Sequence, residues 1–204
     1  MKTAIKVLTL SAALLLASLP PASLSAANIY DKPDEKPPRF KSIQAVINNY
    51  GPAVRTNIKP LFAAKDVPYP PARLTFIALK EEKYFYVFAP DRKGKMQNVL
   101  SYPIIGTSGV AGPKLKEGDK QVPEGIYKTP GFRTDVIAHL ALTVNYPNDF
   151  DLKNARLEKR TNLGSDILVH GSQWSTGCLA MGNPCIEELF VLAYDTGLDK
   201  IKLV

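Results

Sequence analysis

From Leu74 onward, short apolar segments alternate with polar turns along the chain. The first three segments are rich in aromatic and β-branched residues, which favour strands. They are LTFIAL (74–79), YFYVFA (84–89) and QNVLSYPII (97–105). Because the intervening turns KEEK and PDRKGK are short and polar, the pattern predicts an antiparallel meander.

Three later segments have the same character and predict further strands. They are GIYKT (125–129), HLALTVNYP (139–147) and SDILVHG (165–171), the last of which is expected to be the final strand. So many short strands favour a sandwich or a barrel-like sheet over a parallel α/β fold. The predicted fold class is therefore mainly β with flanking helices.

Helical spacing of apolar residues appears at both ends of this β-rich region. Ser42–Tyr50 carries Ile43, Val46 and Ile47 on one face, and the Gly51-Pro52 pair is expected to end that helix. A second helix is predicted after Cys178, with Asn183 as its cap, Pro184 at its first position and Gly197 at its end. Its apolar face consists of Ile186, Leu189, Phe190 and Ala193.

The first 27 residues have the order of a cleavable secretory signal. Lys2 and Lys6 precede an apolar run, and Ser25 and Ala27 supply the small residues expected before a cleavage site. The apolar run, residues 7–19, is shorter than the roughly 20 residues that a membrane-spanning helix requires. The predicted organisation is a signal peptide (1–27), a linker with an N-terminal helix (28–72) and a β-rich domain (73–204), exported to the periplasm or cell envelope without a transmembrane segment.

The net charge of the chain excludes few classes of binding partner. The formal net charge is +7, and it falls to +5 if Lys2 and Lys6 leave with the signal. So small an excess suits an anionic envelope without demanding a charged partner. The absence of clustered basic residues interleaved with aromatic ones argues against nucleic acid.

Candidate chemistry is concentrated in ILVHGSQWSTGC, residues 167–178. His170 follows an apolar run, and Cys178 lies eight positions after it. A thiol is a strong nucleophile only as the thiolate, and a nearby imidazole is the usual base that produces it. The segment therefore predicts a cysteine enzyme with Cys178 as the nucleophile and His170 as the base.

Three other readings of the polar residues stay open. Cys178 and Cys185 are the only two cysteines, so a disulfide between them is one alternative. A zinc site from both cysteines with His139 and His170 is another, although these residues lack the close paired spacing of structural zinc motifs. Asp119 and Glu124 could form a carboxylate pair, but the glycines and proline beside them favour turns.

Two separated motifs resemble the L,D-transpeptidase catalytic domain of the YkuD type, and most of all its YafK-like branch. The motifs are HG with STGCLAM at residues 170–181 and GPKLKEGDKQVPEGIY at residues 112–127, and NYPND at 145–149 supports the branch. The resemblance extends from about Leu74 to Gly197. It implies a β-rich domain that attacks peptidoglycan stem peptides at the carboxyl side of the L centre of meso-diaminopimelate, forms a thioester and passes the acyl group to an amine or to water.

The resemblance also assigns roles to individual residues. It implies that Cys178 is the nucleophile and that His170 takes its proton. It also implies that Gly177 lets the backbone approach and that the backbone amides from Thr176 to Cys178 hold the oxyanion. Gly171 is expected to leave room beside the imidazole. His139, Trp174 and Ser175 are weaker candidates for the substrate groove, and each has a purely structural alternative. No cofactor or metal is implied, since the thiol and imidazole supply the chemistry.

Two departures from the family pattern lie beside the nucleophile. Thr176 stands where the family has a histidine, and Ala180 stands where it has an arginine. An arginine is the natural partner of a stem-peptide carboxylate, so these differences concern substrate binding. The expected function is an exported acyl-transfer enzyme in cell-wall biogenesis or remodelling. The alternatives are a hydrolytic amidase that releases a peptidoglycan-linked lipoprotein and a non-catalytic peptidoglycan-binding module.

Overall fold

A computed structural model describes residues 37–204 of the chain. The predicted signal peptide (1–27) and the first part of the predicted linker lie outside the described residues. Two sheets and three α-helices make up this region. The expectation of a mainly β fold with flanking helices, one of them after Cys178, is confirmed.

The larger sheet has five strands in the order β3-β2-β1-β9-β4. Its strands are β1 (Leu74–Leu79), β2 (Tyr84–Pro90), β3 (Met96–Pro103), β4 (Tyr127–Lys128) and β9 (Ile201–Leu203). The predicted meander is confirmed, because β1 pairs antiparallel with β2 and β2 with β3. Strand β9 lies parallel to β1 and antiparallel to β4, so it joins β4 to the meander.

The smaller sheet has four very short strands in the order β5-β6-β7-β8. They are β5 (Phe132–Arg133), β6 (Ala141–Thr143), β7 (Leu168–His170) and β8 (Leu179–Ala180). The expectation that β7 is the last strand is wrong, since β8 and β9 follow it. Strands of two or three residues have too little sequence pattern to be recognised without their pairing partners.

Helix α1 (Ile43–Ala63) is longer than the sequence predicts. Ser42 caps it by accepting a hydrogen bond from the Ala45 amide, but the helix continues through Gly51, Pro52 and Pro60. The apolar face explains this continuation, because Val46, Ile47, Val54, Ile58 and Phe62 are all buried at helical spacing. Burial of that face offsets the backbone hydrogen bonds that the prolines cannot make.

The other two helices also differ from the sequence prediction, because α3 has a different cap residue and α2 was not expected. Helix α3 (Asn183–Thr196) ends at Gly197 as predicted, but its cap is Gly182, and the Asn183 side chain instead accepts a hydrogen bond from the Ser172 amide. Helix α2 (Asp149–Leu157) was not predicted, although Asn148 and Asp151 form a capping box at its start. Within residues 37–204 no helix is both long and apolar enough to cross a membrane.

Packing of α1 against α3 covers the sheets and forms the centre of the core. An ion pair joins the two helices, with Arg55 Nε and Nη2 bound to the Asp195 carboxylate at 2.8 and 2.6 Å. Tyr69 donates a third hydrogen bond to the same carboxylate at 2.6 Å. Helix α3 is thereby tied to α1, and it contacts β6 and β7 of the smaller sheet.

Candidate active site

The pairing of β7 with β8 brings the predicted base and nucleophile to the same cleft. These strands are parallel, with His170 opposite Ala180 and Val169 opposite Leu179. Cys178 immediately precedes β8, two residues before Ala180. Cys178 itself lies at a bend just outside the strand.

Both side chains open into one cleft of about 590 Å³. Trp174 and Thr176 line it from the nucleophile loop (residues 171–178), and Asp135 and Asp166 line another wall. Lys114 and Lys120 line it from the loop between β3 and β4 (residues 104–126), which we call the cap loop. Of the weaker groove candidates, only Trp174 lies among the lining residues.

His170 is almost completely buried, with 2% of its surface exposed. Its Nδ1 forms a short hydrogen bond with the Gly171 carbonyl, which can only accept, so Nδ1 carries the proton and Nε2 is left as the basic nitrogen. Burial lowers the pKa of His170 and outweighs the opposing effect of that carbonyl. The indole of Trp174 covers the imidazole, with ring centroids 5.8 Å apart.

The surroundings of Cys178 favour the neutral thiol over the thiolate. Burial raises its pKa, the Asp166 carboxylate raises it further, and a hydrogen bond from the Leu168 amide and the charge of Lys114 oppose this rise. The thiol lies 3.9 Å from the Asp166 carbonyl oxygen. A thiol in this state needs a base at the moment of attack, since little of it ionises spontaneously at neutral pH.

Two serine hydroxyls hold the backbone around Cys178. Ser175 Oγ accepts from the Cys178 amide at 3.0 Å and donates to the Cys178 carbonyl at 2.6 Å. Ser108 Oγ, from the cap loop, accepts from the Gly177 amide at 2.7 Å and donates to the Lys120 carbonyl at 2.7 Å. The Gly177 and Cys178 amides, expected to be oxyanion donors, are therefore already engaged in this structure.

Gly171 lies close to two other segments of the chain. A β-carbon at this position would lie 2.5 Å from Asn183 Oδ1 and 2.6 Å from the Ala138 carbonyl. The close contacts of Gly171 are thus with the start of α3 and the loop before β6.

His139 lies outside the cleft lining. Its Nε2 donates to Glu187 Oε1 at 2.8 Å, and its ring packs against Tyr50 and Phe40. Its Nδ1 is buried, and within residues 37–204 it has no hydrogen-bond partner. His139 therefore joins α1 and α3 to the loop before β6, which corresponds to the structural alternative for this residue.

The two carboxylates that could have formed a glycosidase pair anchor the cap loop instead. Asp119 pairs with Lys114 at 2.8 Å, and Glu124 pairs with Lys80 at 2.7 Å. Burial opposes ionisation of Asp119, but hydrogen bonds from Lys114 and three backbone amides outweigh it and lower its pKa. Sequence spacing gave no signal for the Lys80 contact, because that lysine belongs to the turn after β1.

Ala180 leaves no space for the arginine that the family pattern has there. It is fully buried, and its amide and carbonyl bond to the backbone of Gly106. Lys120 is instead an exposed cation on the cleft, and within residues 37–204 it has no ion-pair partner. This lysine was not recognised in the sequence, because only the folded cap loop places it beside Cys178.

Neither cysteine is bonded to the other. Cys178 and Cys185 are both free, and Cys185 is buried in α3. Across residues 37–204 no three His, Cys, Asp or Glu side chains are grouped so as to hold a metal ion. The four residues of the zinc alternative do not meet in one place.

Comparison with known proteins links this chain to two curated relatives. It is 32% identical over 114 residues to the protein named "Putative L,D-transpeptidase YafK" from Escherichia coli strain K12, and to that of the same name from Escherichia coli O157:H7. The match covers 54% of this chain and 43% of each relative, so it spans less than half of their length. It confirms the resemblance to L,D-transpeptidases and to the YafK-like branch. No family model matches the chain.

Two solved structures resemble the chain more loosely. Bdellovibrio bacteriovorus Bd1075 has a TM-score of 0.46 at 25% identity, and the helical cell shape determining protein Pgp2 from Campylobacter jejuni has 0.49 at 23%. Each match covers 65% of this chain and 46% of the other chain.

Proposed function

We propose that this relative of the L,D-transpeptidases is an exported cysteine acyl-transfer enzyme that acts on peptidoglycan stem peptides. The observation that carries the proposal is the pairing of β7 with β8, which turns His170 and Cys178 into one cleft. The identity with the YafK proteins supports the substrate class. Export rests on the signal-like residues 1–27.

The first half-reaction follows from the two protonation states. Nε2 of His170 takes the thiol proton while Sγ attacks the carbonyl carbon on the L centre of diaminopimelate, giving a tetrahedral oxyanion. When the intermediate collapses, the carbon–nitrogen bond breaks and the imidazolium returns the proton to the departing amine. The product is a thioester on Cys178.

The second half-reaction decides between a transferase and a hydrolase. Either an amine or water loses a proton to His170, attacks the thioester carbon and displaces the Cys178 sulfur, which regains its proton. An amine acceptor gives a new cross-link, and water gives a shortened stem or a released lipoprotein. The YafK-like resemblance makes hydrolysis the second candidate.

Oxyanion stabilisation requires N–H donors that are free to bond the oxyanion. Two serine hydroxyls already accept hydrogen bonds from the candidate donors. The Gly177 and Cys178 amides bond to Ser108 and Ser175. We infer that the amides turn toward the oxyanion as charge develops, because a charged acceptor forms a stronger hydrogen bond than a hydroxyl. Ser108 and Ser175 then act as positioning residues that hold the loop before attack.

Charges around the cleft suit the far end of diaminopimelate, which carries both an ammonium and a carboxylate. Lys120 is placed for the carboxylate, and Asp135 or Asp166 for the ammonium. Arg133 lies between these acids, at 2.8 Å from Asp135 and 3.5 Å from Asp166. Lys120 thus takes the role of the arginine that Ala180 replaces.

Muropeptide analysis tests the proposal. Purified sacculi are incubated with the chain and with Cys178→Ala, and the products are identified by mass spectrometry. Bonds between two diaminopimelate residues indicate a transferase, whereas tripeptide stems or released lipoprotein remnants indicate a hydrolase. Turnover that persists in Cys178→Ala contradicts the mechanism. A chain that binds sacculi without changing them, and whose Cys178 takes no carbapenem adduct by intact mass, is a binding module.

A further inference from the structure

Two lysines face each other across the edge of the larger sheet. Lys128 of β4 is directly opposite Lys202 of β9, and both side chains are exposed. Like charges at directly opposed positions destabilise a sheet. The proposed mechanism does not use this lysine pair. The destabilisation that the pair causes therefore needs a separate explanation.

The pair belongs to a larger groove of about 1060 Å³. Four cations line what we call the basic groove: Arg73, Lys128, Lys200 and Lys202. Within residues 37–204 none of them forms an ion pair, and Arg73 only contacts the sulfur of Met96 at 3.8 Å. The basic groove therefore holds four positive charges without bound carboxylates.

Two acids, Asp149 and Asp199, also line the basic groove. A site with four cations and two anions suits a ligand that carries several carboxylates together with ammonium groups. The two acids disfavour a polyanion such as nucleic acid, which has no cation to pair with them. The site is concave, which fits an extended chain better than the flat surface of a membrane.

The basic groove and the catalytic cleft are distinct sites. They have no lining residue in common, since the basic groove is built on β1, β4, β9 and the start of α2, and the cleft on the cap loop and the smaller sheet. A ligand of the basic groove can therefore be bound while a different stem occupies the cleft.

We propose that the basic groove binds a second peptidoglycan stem peptide, apart from the one that is cut. This inference rests on the proposed function for the substrate class. Stem peptides carry free carboxylates and, at diaminopimelate, a free ammonium group, which match the cations and the two acids. The bound stem holds the enzyme on the wall and raises the local concentration of stems at the cleft.

Sedimentation with purified sacculi tests the inference in the full chain carrying Cys178→Ala, which prevents turnover. Lys128→Gln with Lys202→Gln is compared with Lys41→Gln with Lys65→Gln, which removes the same charge at exposed positions outside the groove. We expect the groove variant to bind about tenfold more weakly at moderate salt and the control variant to bind like the parent. Equal affinity in the groove variant, or an equal loss in the control, overturns the inference.

Vesicles containing phosphatidylglycerol provide the membrane arm of the same experiment. Weak vesicle binding that is unaffected by the groove substitutions agrees with a peptide ligand. Vesicle binding that falls in the groove variant, with unchanged sacculus binding, means that the site recognises a lipid headgroup and overturns the proposal.

Thermal stability distinguishes a binding role of the lysine pair from a purely structural one. Lys202→Gln removes the repulsion, so its Tm should rise by about 1–3 °C while sacculus binding weakens. A fall in both means that the lysines support the fold and contradicts the proposal. Wild-type turnover on a soluble disaccharide tetrapeptide is measured separately; its absence sinks the proposed function without altering the binding comparison.

Discussion

The two sheets of the protein are built in different ways. The meander strands β1, β2 and β3 are six to eight residues long and each pairs with its neighbour in sequence. The strands of the smaller sheet are two or three residues long. Strands β7 and β8 pair in parallel, and the nucleophile loop connects them along the chain. The meander resembles a self-supporting scaffold, whereas the smaller sheet depends on what surrounds it.

The surroundings of the smaller sheet are the helices and the cap loop. Helix α3 contacts β6 and β7, and Ser108 binds the loop that carries Cys178. Such short strands allow the chain to bring residues from several segments to one cleft. The comparison implies that changes in the meander affect mainly stability, and changes around the smaller sheet affect mainly chemistry.

Replacing His170 gives the largest expected loss of chemistry. In His170→Ala the neutral thiol has no base, so turnover on muropeptides should fall at least about 100-fold while circular dichroism shows a retained fold. His139→Ala is a matched control, because the other histidine of the chain is buried outside the cleft. That control should lower Tm but keep most turnover per folded molecule. Equal loss in both variants would contradict the assignment of the base.

Replacing Phe85 is expected to give the largest loss of stability. Phe85 is fully buried in β2 and contacts Phe76, with ring centroids 5.3 Å apart. Phe85→Ala should lower the free energy of unfolding by about 3–5 kcal/mol, measured by urea titration. Activity per folded molecule at low temperature should be unchanged. A loss of kcat in Phe85→Ala without loss of stability would contradict the idea that changes in the meander affect mainly stability.

Ser108 tests the contact between the cap loop and the nucleophile loop. Ser108→Ala removes the acceptor of the Gly177 amide, so we expect kcat to fall roughly tenfold with little change in KM. Ser108→Thr keeps the hydroxyl and should restore most of kcat. If the two variants behave alike, the hydroxyl does not position the loop.

A smaller effect is expected at Lys120. Lys120→Gln removes a charge that faces the substrate, so KM for a soluble tetrapeptide should rise about fivefold with a similar kcat. Lys65→Gln makes the same charge change at an exposed position away from the cleft. A KM that rises equally in both variants would point to net charge instead of a specific contact.

The pH profile of the wild-type enzyme gives the most subtle test. The proposed mechanism requires neutral His170, and burial lowers the pKa of His170 below its usual 6.5. The acid limb of kcat/KM should therefore lie below pH 6.5. The thiol pKa is raised above 9.0, so the plateau should extend through neutral pH. An acid limb above pH 6.5 would mean that the imidazole is not the buried base described here.

Much of the fold follows from local pattern. The apolar alternation of β1 to β3 and the spacing of Ile186, Leu189, Phe190 and Ala193 in α3 predict those elements correctly. The stop at Gly51-Pro52 was wrong, because burial along α1 outweighs the local preference of proline. The strands β5, β8 and β9 were missed, since two or three residues become a strand only when a distant partner pairs with them.

The sequence by itself determined the candidate nucleophile and base and the family resemblance, because both depend on residue types at short spacing within 112–127 and 170–181. Only the tertiary structure decided which side chains share the cleft with Cys178. Lys120 comes from the cap loop, Asp135 from the loop before β6 and Asp166 from the segment before β7, whereas His139 bonds to Glu187 outside the cleft. Side-chain proximity across such segments is set by sheet pairing and loop closure, which leave no periodic signal along the chain.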